Sequence, residues 1–438
     1  MNPGRDSGIS AIAGRAGLYL FAFSLWLSTA GAHIGLGLML FAAVADRAAR
    51  AALRRDTMLR LALLFAAFLL LYGSWVAWTT EENPAALWDD TWKWLRLFLF
   101  YIVVAWWLAG EEARIGRALL LALAGLLLRM LLSLQESGWT ALWSGARTGF
   151  GLPVLTFGLF CATALLGLLV LAPRWWSGPT GDGASNRGTL VRGLAWCLIV
   201  VMALQGLITS QSRDAWISAL IVIPLILALR LAAAMRAGSG RTRLRTGIAF
   251  ILALTLIGAV TARNLDTITV RAYEERSAWQ ALLAGDFGRI PDGSIGYRIQ
   301  LIEYGLHKWL ERPLLGWGTH SYRALIAQTD DAELRALPHL HNAYIETLMT
   351  LGIVGAAFFL YFLGRLCTIL YRSWRAGRMA TDYALFLSGA LGLQLIWCLA
   401  NFGLNQVTWN FYFAMLAGTI YSYGIRARNG QTMGNPAE

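Results

Sequence analysis

Long apolar runs follow one another along almost the whole chain, and they decide what it can become. A helix needs about 20 mostly apolar residues to cross a bilayer. Such runs lie at 58–78, 94–110, 115–134, 152–172, 191–209, 214–234, 246–262, 341–371, 382–402 and 407–424. Ahead of them, Leu18–Ala30 and His33–Val44 flank Gly31 and read as a tight hairpin of two short spans, giving about twelve. One long tilted span, giving eleven, is the alternative. Of the 438 residues, 57% are hydrophobic and 14% charged, against roughly 25% charged in soluble domains. That balance excludes a water-soluble enzyme, a disordered chain and a disulfide-stapled secreted module. Transmembrane barrels alternate polar and apolar residues and lack such runs. The expected fold is all-α: a polytopic helical membrane bundle.

The placement of charge gives the orientation. Arg47, Arg50, Arg54, Arg55 and Arg60 share one loop; Arg230, Arg236, Arg241, Arg243 and Arg245 share another. Arg372, Arg375 and Arg378 occupy a later turn, with Arg426 and Arg428 in the tail. With twelve spans, all of these fall on one side, which the positive-inside rule makes cytoplasmic. The net charge of +12 therefore reflects topology, and nucleic acid is not an expected partner. Spans occupy 1–263 and 341–425, a cytoplasmic tail follows at 426–438, and 264–340 forms an external loop domain. In that loop, Val270–Leu283 is amphipathic, and Ser294 caps a helix running to about Glu311, ahead of Pro313. The Gly/Ser/Pro-rich stretch 173–190 reads as an internal linker. The four Cys (161, 197, 367, 398) lie within apolar runs as small hydrophobes. No cleavable signal peptide and no internal repeat are evident.

Ionisable groups at a membrane interface mark function by default, because they are expensive there. Arg213 begins a span, where a cation opposes the helix dipole, so an anion nearby would explain it; Asp214 alone is the simpler explanation. Arg147 stands just ahead of another outer helix start, either functional or snorkelling. Arg298 falls in the first turn of the external helix, again the wrong end for a cation unless an acidic neighbour pairs with it. His307 reads as a surface residue and His320 as structural. His339 and His341 flank the start of a long span, where the dipole favours a neutral imidazole able to accept a proton. Asp89-Asp90 and Asp330-Asp331 read as solvated loop charge. Arg96 and Arg129 remain inside apolar runs.

One pattern is more specific than any single residue: His341-Asn342, then Gly352 and Gly355, preceded by Gly316-Trp317-Gly318. It resembles the His-Asn/Ser/Gln and Gly-x-x-Gly signature, with a Gly-hydrophobic-Gly turn, of the O-antigen ligase and polymerase superfamily. Arg147 and Ser212-Arg213 resemble Arg-bearing segments of the same family, and the late external loop also matches. The family's Arg-x-x-x-Leu departs here, since Ile217 follows Arg213 and Ile302 follows Arg298 at that spacing.

The resemblance implies a glycosyltransferase of the bacterial inner membrane with its site facing the periplasm. Its donor would be an undecaprenyl-pyrophosphate-linked glycan, its acceptor the lipid A-core oligosaccharide, and membrane lipids would surround both. His341 would be the base that removes the acceptor's proton. Arg213, Arg147, Arg298, His339 and Asn342 would bind pyrophosphate or substrate, Arg213 also stabilising the leaving group. Gly316, Gly318, Gly352 and Gly355 would shape turns. His339 is the alternative base, and Glu346, five residues past His341, a structural or orienting group. With no Asp-x-Asp in the outer loops, transfer is expected to need neither metal nor cofactor and to invert the anomeric centre. A polymerase or a protein O-oligosaccharyltransferase of the same superfamily is the near alternative. An anionic-lipid transporter is the distant one; it would place more weight on Arg129 than on His341.

Overall fold

The computed structural model describes residues 8–80, 84–177, 186–237, 240–274, 276–286, 290–291 and 293–433. Among them every regular element is helical. Each apolar run is a helix: α1 Ile9–Ser24, α2 Thr29–Ala45, α3 Thr57–Thr80, α4 Pro84–Leu108, α5 Glu112–Ser137, α6 Val154–Val170, α7 Asn186–Thr209, α8 Arg213–Ala237, α9 Gly240–Arg263, α10 Ala343–Arg375, α11 Thr381–Trp397 and α12 Val407–Met433. Among the described residues, 5 helices are long and apolar enough to cross a membrane, or up to 7 if two bent helix pairs each count as one span. α1 and α6 are apolar but shorter. The chain is thus a multi-pass helical membrane protein.

Two compact units divide the chain. The first comprises 1–122, 275–369 and 398–438. Its α1–α2 hairpin forms because Ser28 Oγ accepts from the Gly31 N–H at 3.2 Å and caps α2. Gly17 and Gly35 let the two backbones meet: a Cβ on Gly35 would stand 2.6 Å from the Phe21 nitrogen. Against this hairpin and α4 packs α12, through Phe21–Phe411 and Tyr101–Tyr421 edge contacts. With no water in hydrocarbon, polar groups must be satisfied internally. Buried Asp56 meets that demand by capping α3 at the Met58 and Leu59 N–H groups and accepting the Tyr421 hydroxyl at 2.6 Å.

The second unit comprises 123–274 and 370–397. α6 lies at its centre, buried on nearly every face. Gln205 and Asn264 exchange side-chain hydrogen bonds of 2.8 and 3.0 Å, hiding two amides in apolar surroundings. Arg174 grips Asp382 in a bidentate pair and lies over the Tyr383 ring. Arg129, one of the two charges left inside apolar runs, donates to the Phe150 and Gly151 carbonyls at 3.1 and 2.8 Å. It holds a turn in which both residues have positive φ, a structural duty for this charge.

The loop segment of the first unit has its own small core of Leu301, Leu325, Ile326, Leu340 and Met349. Its long helix, Ser294–Glu311, is capped by Gly293; Ser294 is the first helical residue and makes no cap. The expected amphipathic helix at 270–283 is instead two pieces, Leu265–Tyr273 and Arg276–Leu283. Asp331 is a helix cap, accepting from the Glu333 and Leu334 N–H groups. Of the linker expected at 173–190, residues 178–185 lie outside the described residues, and the remainder is helical, in the short helix Ala172–Ser177 and the start of α7.

Candidate active site

The turn that carries the two histidines is fixed from both ends. Asn342 caps α10, its Oδ1 accepting from the Tyr344 and Ile345 N–H groups at 3.0 Å. Its amide donates to the Leu399 carbonyl at 3.0 Å, and the Ala343 N–H to the Cys398 carbonyl. Both bonds moor the start of α10 to the loop before α12. One helical turn on, buried Glu346 reaches back and accepts the Leu340 N–H at 2.9 Å. The geometry therefore gives Glu346 a structural part, closing the turn over the N-terminus of its own helix.

Within this clamp, His341 has φ +53°. Left-handed backbone is uncommon for a residue with a Cβ and concentrates where the surroundings over-determine it. Here the His341 N–H is held by His339 Nδ1 at 3.1 Å. That bond fixes the tautomer: Nδ1 accepts, so neutral His339 carries its proton on Nε2 and is a donor there. Burial, then the charges of His341 and Arg298, push the His339 pKa down to about 3. His339 is thus neutral near pH 7 and makes a poor base. The two imidazole rings stand 4.1 Å apart. The structure brings His339, His341 and Asn342 together, with Arg298 near enough for its charge to bear on His339.

The glycine signature has a mechanical explanation. α10 breaks at Gly352, φ +62° and ψ −165°, a region almost closed to other residues. The break releases backbone groups that a continuous helix would pair. Residues 313–318 take them up: Trp317 and Gly318 N–H groups donate to the Met349 and Thr350 carbonyls, and Ile353 and Val354 N–H groups to the Pro313 and Leu314 carbonyls, all at 2.9–3.1 Å. Gly316, at φ +71°, passes so close that a Cβ would lie 2.6 Å from the Met349 oxygen. Gly355 has room for no Cβ either, because Leu351 occupies the place. Gly318 adds a further positive φ of +103°. The four glycines build one joint between loop and helix, and Tyr72 secures it with a 2.7 Å bond to the Gly316 carbonyl.

Beside the histidine turn lies a cavity of about 270 Å³. His339 and Glu346 line it from one side, Asp90 and Lys93 of α4 from another, and His320 and Arg323 from the segment after the glycine turn. The lining includes His339 and not His341. Asp90 accepts from His320 Nδ1 and from Lys93, both at 2.6 Å, while Asp89 bonds Lys93 at 2.8 Å. Asp89-Asp90 is therefore not a loop pair: both residues are helical, and while Asp89 is solvent-exposed, Asp90 joins α4 to the glycine turn, as does the Thr91–Thr319 hydroxyl bond of 2.8 Å. Reading the residues in order missed this wall. The spacing of Asp89, Asp90 and Lys93 signals an ion pair along one helix face, but no spacing reports a partner 230 residues away.

Arg147 and Arg213 belong to the second unit, and their segments are joined there. The Thr148 N–H donates to the Thr209 carbonyl at 3.1 Å, Gln211 Nε2 to the Gly145 carbonyl at 2.7 Å, and Arg147 Nε to the Ser210 carbonyl at 3.3 Å. Arg213 opens α8 beside the mostly buried Asp214. Gln211 has φ +47°, so this turn too is held in a constrained form. Among the described residues, no group of three or more His, Cys, Asp or Glu side chains is placed to hold a metal ion.

Residues 198–360 match a protein-family model described as O-antigen ligase. No curated protein matches the chain. The matched stretch runs from within α7, through Arg213 and Arg298, to the glycines of the broken helix.

Proposed function

The chain belongs to the O-antigen ligase and polymerase superfamily, its residues 198–360 carrying the family's domain, and we propose on that premise that it is an O-antigen ligase. It transfers a glycan from undecaprenyl pyrophosphate to the lipid A-core oligosaccharide at the periplasmic face of the bacterial inner membrane. The transfer is metal-independent and inverting. The observation that carries this reading is the histidine turn: His341 in a constrained left-handed conformation, pinned by His339 and Glu346, with Arg298 close by.

In the proposed mechanism, His341 takes the proton of an acceptor hydroxyl. The hydroxyl oxygen attacks the anomeric carbon as the bond from that carbon to the pyrophosphate oxygen breaks. A single displacement of this kind inverts the centre. His341 then passes its proton to water. Neutral His339 donates from Nε2 and does not compete for the proton. Arg298 meets the charge that grows on the leaving phosphate, where a fixed guanidinium in a partly dehydrated site is most effective. Arg147 and Arg213 are proposed as further donor-binding groups on the strength of the family resemblance.

Purified protein supplied with undecaprenyl-pyrophosphate glycan and rough lipopolysaccharide should yield glycan-capped lipopolysaccharide. General-base help is worth roughly 10²–10⁴-fold, so His341→Ala should lose about that much turnover. His341→Asn should lose as much while folding normally, because Asn tolerates left-handed backbone. Retained ligation by a well-folded His341 variant would refute the assignment. Lengthening of the donor glycan in place of capping would make the protein a polymerase.

A further inference from the structure

The cavity beside the histidine turn is accounted for only in part by the chemistry above, which uses one wall of it. Another part of its lining is a second histidine held by a carboxylate. Asp90 can only accept when ionised, so the 2.6 Å contact places the His320 proton on Nδ1. Nε2 of a neutral His320 is then an acceptor, while the donor in the same cavity is His339 Nε2. Gln406 also lines the space, and its Oε1 is buried without a hydrogen-bond partner among the described residues. Trp94, Tyr322 and Phe402 add aromatic rings to the lining.

Charge separates the possible occupants. Lys93 is already neutralised by Asp89 and Asp90 at 2.8 and 2.6 Å. Arg323 adds one further cation to the lining, and the buried Glu346 carboxyl is occupied by the Leu340 N–H, so the walls lack the paired guanidiniums that would clamp a diphosphate. Size separates them further. At about 270 Å³ the space falls just below the roughly 300–1,000 Å³ of pockets that enclose drug-sized ligands. A sugar ring fits; a polyprenyl chain or a long glycan does not. Aromatic rings for the C–H side of a sugar ring, with paired acceptors and a donor for its hydroxyls, are what an uncharged saccharide requires.

We infer that this cavity seats an uncharged sugar ring of the glycosyl acceptor, with His320, oriented by Asp90, and Gln406 accepting hydrogen bonds from its hydroxyls. The inference rests on the ligase reading and adds the place and chemistry of acceptor recognition. His320 and Gln406 are binding residues and Asp90 a positioning residue; none takes the transferred proton.

Steady-state ligation with rough lipopolysaccharide as the varied acceptor tests it. His320→Ala and Gln406→Ala should each raise the acceptor KM about fivefold to tenfold, the worth of one hydrogen bond. The donor KM should stay in place, and turnover at saturating acceptor should fall less than the acceptor KM rises. Asp90→Asn keeps an oxygen for the His320 Nδ1–H but loses the charge, so its effect should be smaller and in the same direction. A structural role alone would move donor and acceptor constants together and lower thermal stability. Gln406→Ala guards against that outcome, since no side-chain bond to Oε1 is lost. Unchanged acceptor KM in His320→Ala and Gln406→Ala, with wild-type ligation intact, would overturn this inference alone. A wild-type protein that lengthens its donor without capping the acceptor would overturn the ligase reading itself.

Discussion

Replacing Gly352 with Ala tests the joint between loop and helix, because one added carbon attacks it in two ways. The backbone there, φ +62° and ψ −165°, costs a residue with a Cβ about 1–3 kcal/mol. The new Cβ would also run into the Leu314 carbonyl and lie 2.6 Å from the Leu315 nitrogen. These are backbone atoms that no side-chain rotation can move aside. To make room, residues 313–315 must withdraw, and the bonds from Ile353 N–H to Pro313 and Val354 N–H to Leu314 stretch or break. Each buried group left unmade costs about 1–3 kcal/mol. The sum, about 3–9 kcal/mol, is comparable with the whole stability of an ordinary domain, about 5–15 kcal/mol. Gly364 lies on the same helix with nothing within 4 Å of where its Cβ would be. Gly364→Ala should be neutral or slightly stabilising, by up to about 1 kcal/mol. Thermal unfolding of both variants in detergent, with protease resistance as a second readout, decides the matter. Equal melting of Gly352→Ala and wild type, or equal loss from the two substitutions, would refute the account of the broken helix.

Arg174→Ala should destabilise the protein by about 1–3 kcal/mol. It leaves the mostly buried Asp382 carboxylate without its bidentate partner, though the 41% exposure of Arg174 discounts the full cost of a buried pair. A double-mutant cycle with Asp382→Asn that shows no coupling would contradict this. His339 makes stability depend on acid. Its pKa falls from 6.5 in the free side chain to about 3 in the fold, so the unfolded chain binds the proton first. Stability should be level above about pH 6.5 and decline below it, by about 1.4 kcal/mol per unit, until the folded state also protonates. His339→Gln should flatten that decline in acid-melting curves; parallel curves would argue against burial of a neutral ring.

The helices were legible because their signal is redundant. Each apolar run repeats its message over some twenty residues, and each became a helix. Where one residue bears the message, the reading weakened. Ser294 looked like a cap, yet the backbone turns at Gly293 and leaves Ser294 in the helix. The break at Gly352 is invisible in the apolar run 341–371 because hydropathy does not sense φ; the glycine signature marked the place without disclosing that residues 313–318 fill the gap. His339 and His341 could be named from their position ahead of a span. What sets their surroundings apart, the bond from the His341 N–H to His339 Nδ1, has no counterpart in the sequence pattern. Asp90 reads as loop charge in the sequence because its partner His320 lies far along the chain, beyond the reach of any local pattern.

The broken helix also has a bearing on biosynthesis. Residues 313–318 leave the ribosome before 349–354, so the segment that will satisfy the interrupted ladder exists before the interruption does. It must wait, solvated, until the later half-helices reach it, and only then can that stretch rest in lipid without naked peptide groups. Lengthening the stretch between them should delay the meeting and leave the finished joint unaltered, whereas moving residues 313–318 downstream of α10 would ask the translocon to insert a helix with an open wound.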